Sequence, residues 1–272
     1  MISALEGFIF EVSDGGPKDG PAVVLLHGFP QDYSCWDEVV PRLQAAGLRT
    51  LAPALRGYAP AANPRRRRDY TVDKLVDDLI GLLDAAGIER AHLVGHDWGG
   101  LLCWATAAAR PDRVASLTVL STPHPRAMMW AIRHADQARK SWHLLAFQLP
   151  WLPELILSKT LIVELIRSGL LVDKAIHYAK RHSSAKALRG PVNYYRAVFL
   201  SPRPAKSDQQ EISAPTTYVW GRRDRYLGRA AAERTAGFVC GPYSFVEVDG
   251  GHWLPENHPD EVADAVLARV LS

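Results

Sequence analysis

The run Gly95-His96-Asp97-Trp98-Gly99-Gly100, set directly after the apolar stretch Ala91-His92-Leu93-Val94, constrains the fold more than any other segment. A β-run that leads into small-x-nucleophile-x-small and then a helix is the pattern of a nucleophile elbow. The backbone there turns so sharply that side chains flanking the tip would clash, which is why small residues surround it. Ester-cleaving versions of this turn carry Ser at the tip, and this chain carries Asp97. A Ser hydroxyl needs a base to activate it and attacks acyl carbonyls. A carboxylate is ionised near neutral pH, is a weak nucleophile, and suits displacement at a saturated carbon, which leaves an alkyl ester. The expected substrate therefore carries a strained ring or a good leaving group on sp3 carbon. An Asp at a strand end is ordinarily a helix N-cap, but that role alone leaves the flanking glycines without a purpose.

The rest of such machinery follows in the chain order nucleophile, acid, histidine. Thr216-Thr217-Tyr218-Val219-Trp220 runs into Gly221-Arg222-Arg223-Asp224, placing an acid at a strand end. Phe245-Val246-Glu247-Val248 runs into Asp249-Gly250-Gly251-His252-Trp253, placing a His in a Gly-rich turn. The 28 residues from Asp224 to His252 leave room for one helix and one strand, so both side chains can reach the same sheet edge. Upstream, Val23-Val24-Leu25-Leu26 precedes His27-Gly28-Phe29-Pro30, whose backbone can supply an oxyanion-hole N–H beside the elbow.

On these four motifs, in this order, the chain resembles the α/β-hydrolase-fold epoxide hydrolases, close to the haloalkane and haloacetate dehalogenases, over nearly its whole length. The resemblance implies an α/β fold with a mostly parallel doubly wound sheet and a helical cap inserted after the sixth strand. It also implies Asp97 as nucleophile, His252 oriented by Asp224 as base, and the backbone N–H groups of Phe29 and Trp98 as oxyanion hole. Pro191-Val192-Asn193-Tyr194-Tyr195-Arg196 resembles the cap motif in which the Tyr just before Arg protonates the departing oxygen, so the implied acid is Tyr195. A phenol stays protonated at neutral pH yet binds a developing alkoxide. The family carries a second Tyr in a segment ending Phe-Gln; the matching segment Ser141-Trp142-His143-Leu144-Leu145-Ala146-Phe147-Gln148 holds His143 there. That departure makes the donor pair chemically unlike and pH-sensitive. Trp98, Phe29, Trp142 and Phe147 are the expected substrate-binding residues, and the cap aromatics, Trp151 among them, point to an apolar substrate.

Strands are expected over Gly7–Val12, Ala22–His27, Arg49–Ala54, Ala91–His96, Val114–Ser121, Thr216–Trp220 and Ser244–Val248. Most are continuous apolar runs, as in a parallel sheet covered on both faces. A helix over Thr71–Ala86 is expected with Thr71 as N-cap, the stripe Leu75, Val76, Leu79, Ile80 and Leu83, and Gly87 as the stop. The last helix begins near Pro259 and presents Val262, Val266 and Val270 to the sheet. Between Thr122-Pro123 and Ala214-Pro215 the alternation gives way to helical periods alone. The expected division is thus a core over 1–122, a helical cap over 123–212 and the rest of the core over 213–272.

At 272 residues the chain can bury one large core. The net charge of +3 favours no particular partner, and the run Arg65-Arg66-Arg67-Arg68 sits among loop residues as a solvated surface, so nucleic acid is not expected. Three scattered cysteines make neither a disulfide framework nor a metal site. No leader peptide and no apolar run of spanning length is read, which makes a cytoplasmic enzyme with no membrane span and no cofactor the expectation. Monomer and homodimer both stay open. The alternative reading is a dehalogenase using the same nucleophile. Against it, Phe29 stands where many haloalkane dehalogenases have Asn, and Trp98-Gly99-Gly100-Leu101 lacks the Arg that haloacetate dehalogenases carry after the nucleophile. A non-catalytic ligand receptor on the same fold would have no need of an intact Asp97, Asp224 and His252.

Overall fold

The computed structural model describes residues 2–3, 7–200 and 211–272. A two-stranded antiparallel ribbon, β1 (Ile2–Ser3) with β2 (Ile9–Phe10), precedes the main sheet. That sheet is made of β3 (Val12–Gly15), β4 (Ala22–Leu26), β5 (Arg49–Pro53), β6 (Ala91–His96), β7 (Val114–Leu120), β8 (Thr216–Gly221) and β9 (Tyr243–Val248). Its order is β3-β5-β4-β6-β7-β8-β9; β3 pairs antiparallel with β5 and every other pairing is parallel. Every residue of β4 and β5 is buried; β4 accordingly reads as an unbroken apolar run, while in β5 Arg49 is satisfied by Asp14 and Thr50 by Gln44. Helices α2 (Val72–Ala85) and α3 (Trp98–Ala109) pack Leu79, Leu83 and Leu102 on one face. On the other face, α1 (Val40–Ala45) and the last helix bring Leu43, Val262 and Val266 against Leu25, Val94 and Leu120.

Six strand expectations hold to within a residue at either end. The seventh does not: the run over Gly7–Val12 is divided between β2, which pairs with β1, and β3, which edges the main sheet. Between them Glu11 offers its carbonyl to the Ala54 N–H at 2.8 Å, so the short apolar pulse serves two sheets. Thr71 is the N-cap of α2 by position, but its hydroxyl donates to the Arg68 carbonyl and caps nothing. Gly87, at φ +68°, ends that helix as expected.

After β7 the chain makes α4 (Pro125–His134), α5 (Gln137–Lys140), α6 (His143–Ala146), α7 (Leu152–Arg167), α8 (Val172–Arg181) and α9 (Ala185–Ala197) before β8. No strand interrupts them among the described residues, and positions 201–210 of the expected insertion lie outside those residues. Then come α10 (Arg229–Arg234), α11 (Leu254–Asn257) and α12 (Pro259–Val270), the last starting at the expected proline. The chain leaves β4 toward β5 on one side and returns to β6 on the other. The gap between the carboxyl ends of β4 and β6 is therefore the switch point where ligands bind in open α/β sheets.

One contact chain ties the helical insertion to the core. Tyr194 on α9 donates its hydroxyl to the Arg56 carbonyl at 2.7 Å. The Arg56 guanidinium in turn grips Asp78 of α2 through two 2.6 Å bonds, with side-chain exposures of 1% and 6%. Taking the charge from one partner would strand the other in the interior. Asp78→Asn is expected to cost about 3–5 kcal/mol, read as a lower urea midpoint at unchanged m.

Candidate active site

Asp97 follows β6 at φ 52°, ψ −118°, a conformation that non-glycine residues avoid and that costs on the order of 1–3 kcal/mol. The neighbours over-determine it. A Cβ on Gly99 would overlap the Leu26 carbonyl, and one on Gly28 would overlap the Asp97 side chain, so the β4 and β6 ends approach as only glycine allows. Thr122 donates its hydroxyl to the Asp97 carbonyl at 2.7 Å, which pins the turn from β7. The Asp97 carboxylate accepts the Phe29 N–H through Oδ1 at 2.8 Å and is also hydrogen-bonded by the Trp98 N–H. Burial raises its pKa, against the pull of His252 and of these two N–H groups.

His252, in the turn after β9, points Nδ1 at Asp224 Oδ2 over 2.8 Å and Nε2 toward Asp97 Oδ2 over 3.8 Å. Asp224, at the end of β8, spends its other oxygen on the Tyr226 and Leu227 N–H groups at 2.7 and 3.0 Å. The Asp224 side chain is fully buried while that of Asp97 is 22% exposed. One carboxylate can only orient the ring; the other can meet a substrate. Desolvation pulls the His252 pKa down, but the charge and hydrogen bond of Asp224 together with the charge of Asp97 outweigh it, and the pKa is raised.

The helical insertion roofs this group. Tyr195 on α9 packs edge-on against Trp98 and Phe29, with ring centroids 4.9 and 5.5 Å away, and against Phe147 at 4.7 Å. Burial first, and then the Asp97 charge, hold its phenol pKa well above the ordinary value, so it keeps its proton. His143 lies with its centroid 6.0 Å from Tyr195 and 5.9 Å from Tyr226. Burial pushes its pKa down to about 4, leaving a neutral imidazole at physiological pH. The adjacent motif residues are scaffolding. Arg196 clamps Glu154 with both oxygens at 2.6 and 3.0 Å and holds the Phe147 and Leu149 carbonyls; Gln148 donates to the Tyr195 carbonyl at 2.9 Å. Trp142 does not join the site. It is 67% exposed at the start of α6, because the turn that points His143 and Phe147 inward points Trp142 outward.

Of the residues that brace His252, His96 is the hydrogen-bonding strand residue its sequence position suggests, whereas Gln31 and Glu256 escaped the sequence. His96 places Nε2 2.8 Å from the His252 carbonyl and Nδ1 2.8 Å from Gln31 Oε1. Gln31 also accepts the Gly28 N–H at 3.1 Å and donates to buried Glu256 at 2.7 Å, which Tyr178 on α8 bonds as well. Glu256 lies in α11, which starts two residues after His252, and an acid so soon after that His is the signal that would have found it. Among the described residues no group of three or more His, Cys, Asp or Glu is placed to hold a metal ion.

Comparison with known proteins agrees with this architecture. The sequence profile of the alpha/beta hydrolase fold family matches residues 21–259. Epoxide hydrolase 3 of Xenopus tropicalis is 32% identical over 271 residues, covering 94% of this chain and 73% of that one. The AB hydrolase superfamily protein YfhM of Bacillus subtilis is 31% identical, covering 96% of this chain and 94% of its own. Among solved structures, an epoxide hydrolase from hot-environment metagenomes superposes with TM-score 0.87 at 27% identity over 99% of this chain and 97% of that chain. Epoxide Hydrolase A of Mycobacterium thermoresistibile gives 0.84 at 27% identity over 100% and 98%. The chain belongs to the α/β-hydrolase fold family, within its epoxide hydrolase branch.

Proposed function

We propose that this chain hydrolyses epoxides to vicinal diols through an alkyl ester on Asp97, the nucleophile of a triad with Asp224 and His252, under a cap formed by 123–212. The observation that carries the reading is a partly exposed carboxylate on a strained elbow, set between two backbone N–H donors and a histidine and roofed by a protonated phenol. Oδ1 is held by the Phe29 N–H while Oδ2 faces His252, so Oδ2 attacks a ring carbon. The C–O bond breaks and the oxygen takes the Tyr195 proton, leaving a hydroxyalkyl ester and a phenolate. Loss of the Asp97 charge removes one of the influences that raised the His252 pKa. The imidazole then takes a proton from water as that water adds to the Asp97 carbonyl carbon. The Phe29 and Trp98 N–H groups hold the oxyanion. Collapse expels the diol oxygen, which takes the His252 proton, and the acid proton left on Asp97 returns to Tyr195 through solvent.

Phe29 and Phe147 form apolar walls beside Tyr195, which suits an apolar epoxide and gives a free halide no side-chain donor. The cysteines Cys35, Cys103 and Cys240 are free thiols, in keeping with the cytoplasmic setting we assign.

Asp97→Ala is expected to abolish turnover, whereas His252→Gln should still be alkylated and accumulate a covalent adduct on Asp97. Intact-mass spectrometry after mixing with styrene oxide reads both. A folded His252→Gln protein that never gains the adduct mass, beside a wild type that turns over, would mean direct attack by water.

Tyr195→Phe should slow alkylation by about 10²-fold or more, the scale of losing a general acid. His143→Phe should cost less, since its neutral ring can orient the oxygen but is a weaker acid partner. Stopped-flow measurement of alkylation separates the two, and a near-wild-type rate for Tyr195→Phe on every epoxide tested would remove the assignment.

The pH dependence has a definite sign. Attack needs Asp97 ionised, and burial raises its pKa, so the acid limb of kcat/KM should lie above pH 3.8, with activity rising through it. With the His143 pKa near 4, alkylation should show no loss as pH rises from about 6 to 8. Rate profiles with and without His143→Phe test both statements.

A further inference from the structure

Helix α7 is apolar on two sides. Leu161 and Leu165 are buried against the neighbouring helices, while Leu155, Ile156, Val163 and Ile166 are 43%, 50%, 45% and 41% exposed. Spaced at i, i+1, i+8 and i+11, these four make one solvent-facing stripe with Lys159 in its middle. The stripe continues backward into the preceding turn, where Trp151 is 69%, Leu149 50%, Leu145 71% and Trp142 67% exposed. An apolar stripe left facing solvent on a helix whose opposite side is already buried marks an interaction surface.

The charge of the segment that carries the patch points to its partner. The segment 125–197 carries 12 Lys and Arg against 4 Asp and Glu, whereas the whole chain carries 32 against 29. The rest of the molecule is therefore net acidic and the helical insertion strongly basic. One of those four acids, Glu154, is buried in its pair with Arg196. A second copy meeting this patch about a twofold axis would set two basic surfaces face to face, with Lys159 close to its own image. An anionic lipid surface meets both demands, since it takes exposed Trp, Leu and Ile at the headgroup level while Lys and Arg reach the phosphates.

We propose that the outer face of α6 and α7 docks on anionic membrane surfaces, lying in the headgroup layer without crossing it. No helix among the described residues is long and apolar enough to span a bilayer. His143 in α6 and Phe147 just after it pack against Tyr195, so docking would set the roof of the candidate site against the phase into which apolar molecules partition.

Cosedimentation of the full chain with phosphatidylcholine vesicles containing about 30% phosphatidylglycerol, beside phosphatidylcholine alone, tests this. The chain should pellet with the anionic vesicles and lose most of that binding in high salt. Leu155→Ser/Ile156→Ser should lower the partition coefficient at least about tenfold, and Lys159→Ala about fivefold. Thermal melts report folding, and Lys159→Ala, at an exposed position, keeps the test readable if the double variant unfolds. Absence of wild-type binding to anionic vesicles overturns the proposal, as does binding that neither variant weakens. A dimer by light scattering that Leu155→Ser/Ile156→Ser turns into a monomer, without vesicle binding, assigns the patch to a second copy instead.

Discussion

The approach of β4 to β6 at the Asp97 elbow is the constraint on which the rest depends. The left-handed φ of Asp97 is unfavourable in isolation and persists because the Leu26 carbonyl, Gly28 and the Thr122 hydroxyl leave the turn no other shape. That geometry lifts the carboxylate out of the sheet edge and delivers it to the Phe29 N–H. It also starts α3 in the same step, since the Leu101 N–H closes on the Asp97 carbonyl at 3.1 Å. Position and local electrostatics thus come from one piece of backbone.

The histidine is held by charge on two sides but by matter on three. Asp224 grips its ring, Asp97 faces its other nitrogen, and its own carbonyl is taken by His96, Ser121 and the Leu254 N–H. The two carboxylates differ in what they can give up. Asp224 has both oxygens committed, one to the ring and one to two backbone N–H groups, so it can only orient. In the proposed reaction Asp97 loses its charge midway, which lowers the imidazole pKa and so favours the neutral ring that must accept a proton when water is activated. A pair of acids with one committed and one expendable gives the base two strengths in a single cycle.

Much of this was legible in the chain. The inner strands β4, β6 and β7 stood out because burial on both faces favours apolar runs, and the four motifs stood out because each lies just past the end of a strand. The failures have a physical pattern. The division of the N-terminal run between two sheets follows from long-range pairing that a local apolar count does not contain. The direction of Trp142 is set by the phase of a single short helical turn, where one residue changes inside to outside. The link from His96 through Gln31 to Glu256 joins residues far apart in sequence, and only the β4–β6 approach brings them together.

Helix phase also separates Tyr194 from Tyr195, which the sequence alone could not rank by chemistry. Consecutive residues on a helix point about 100° apart, so one of the pair must face the core if the other faces the site. Tyr194 turns to the Arg56 carbonyl, and through Arg56 to Asp78, and thereby anchors α9 on the sheet. Tyr195, one step on, is left over Trp98 and Phe29. Its distance from the elbow is then set by the anchor of its neighbour and by the Arg196–Glu154 clamp on the far side. The roof is positioned from beneath and behind by bonds that never touch a substrate. A change at Arg56 or Glu154 should therefore reach the proposed acid through the angle of α9 while leaving the phenol itself intact.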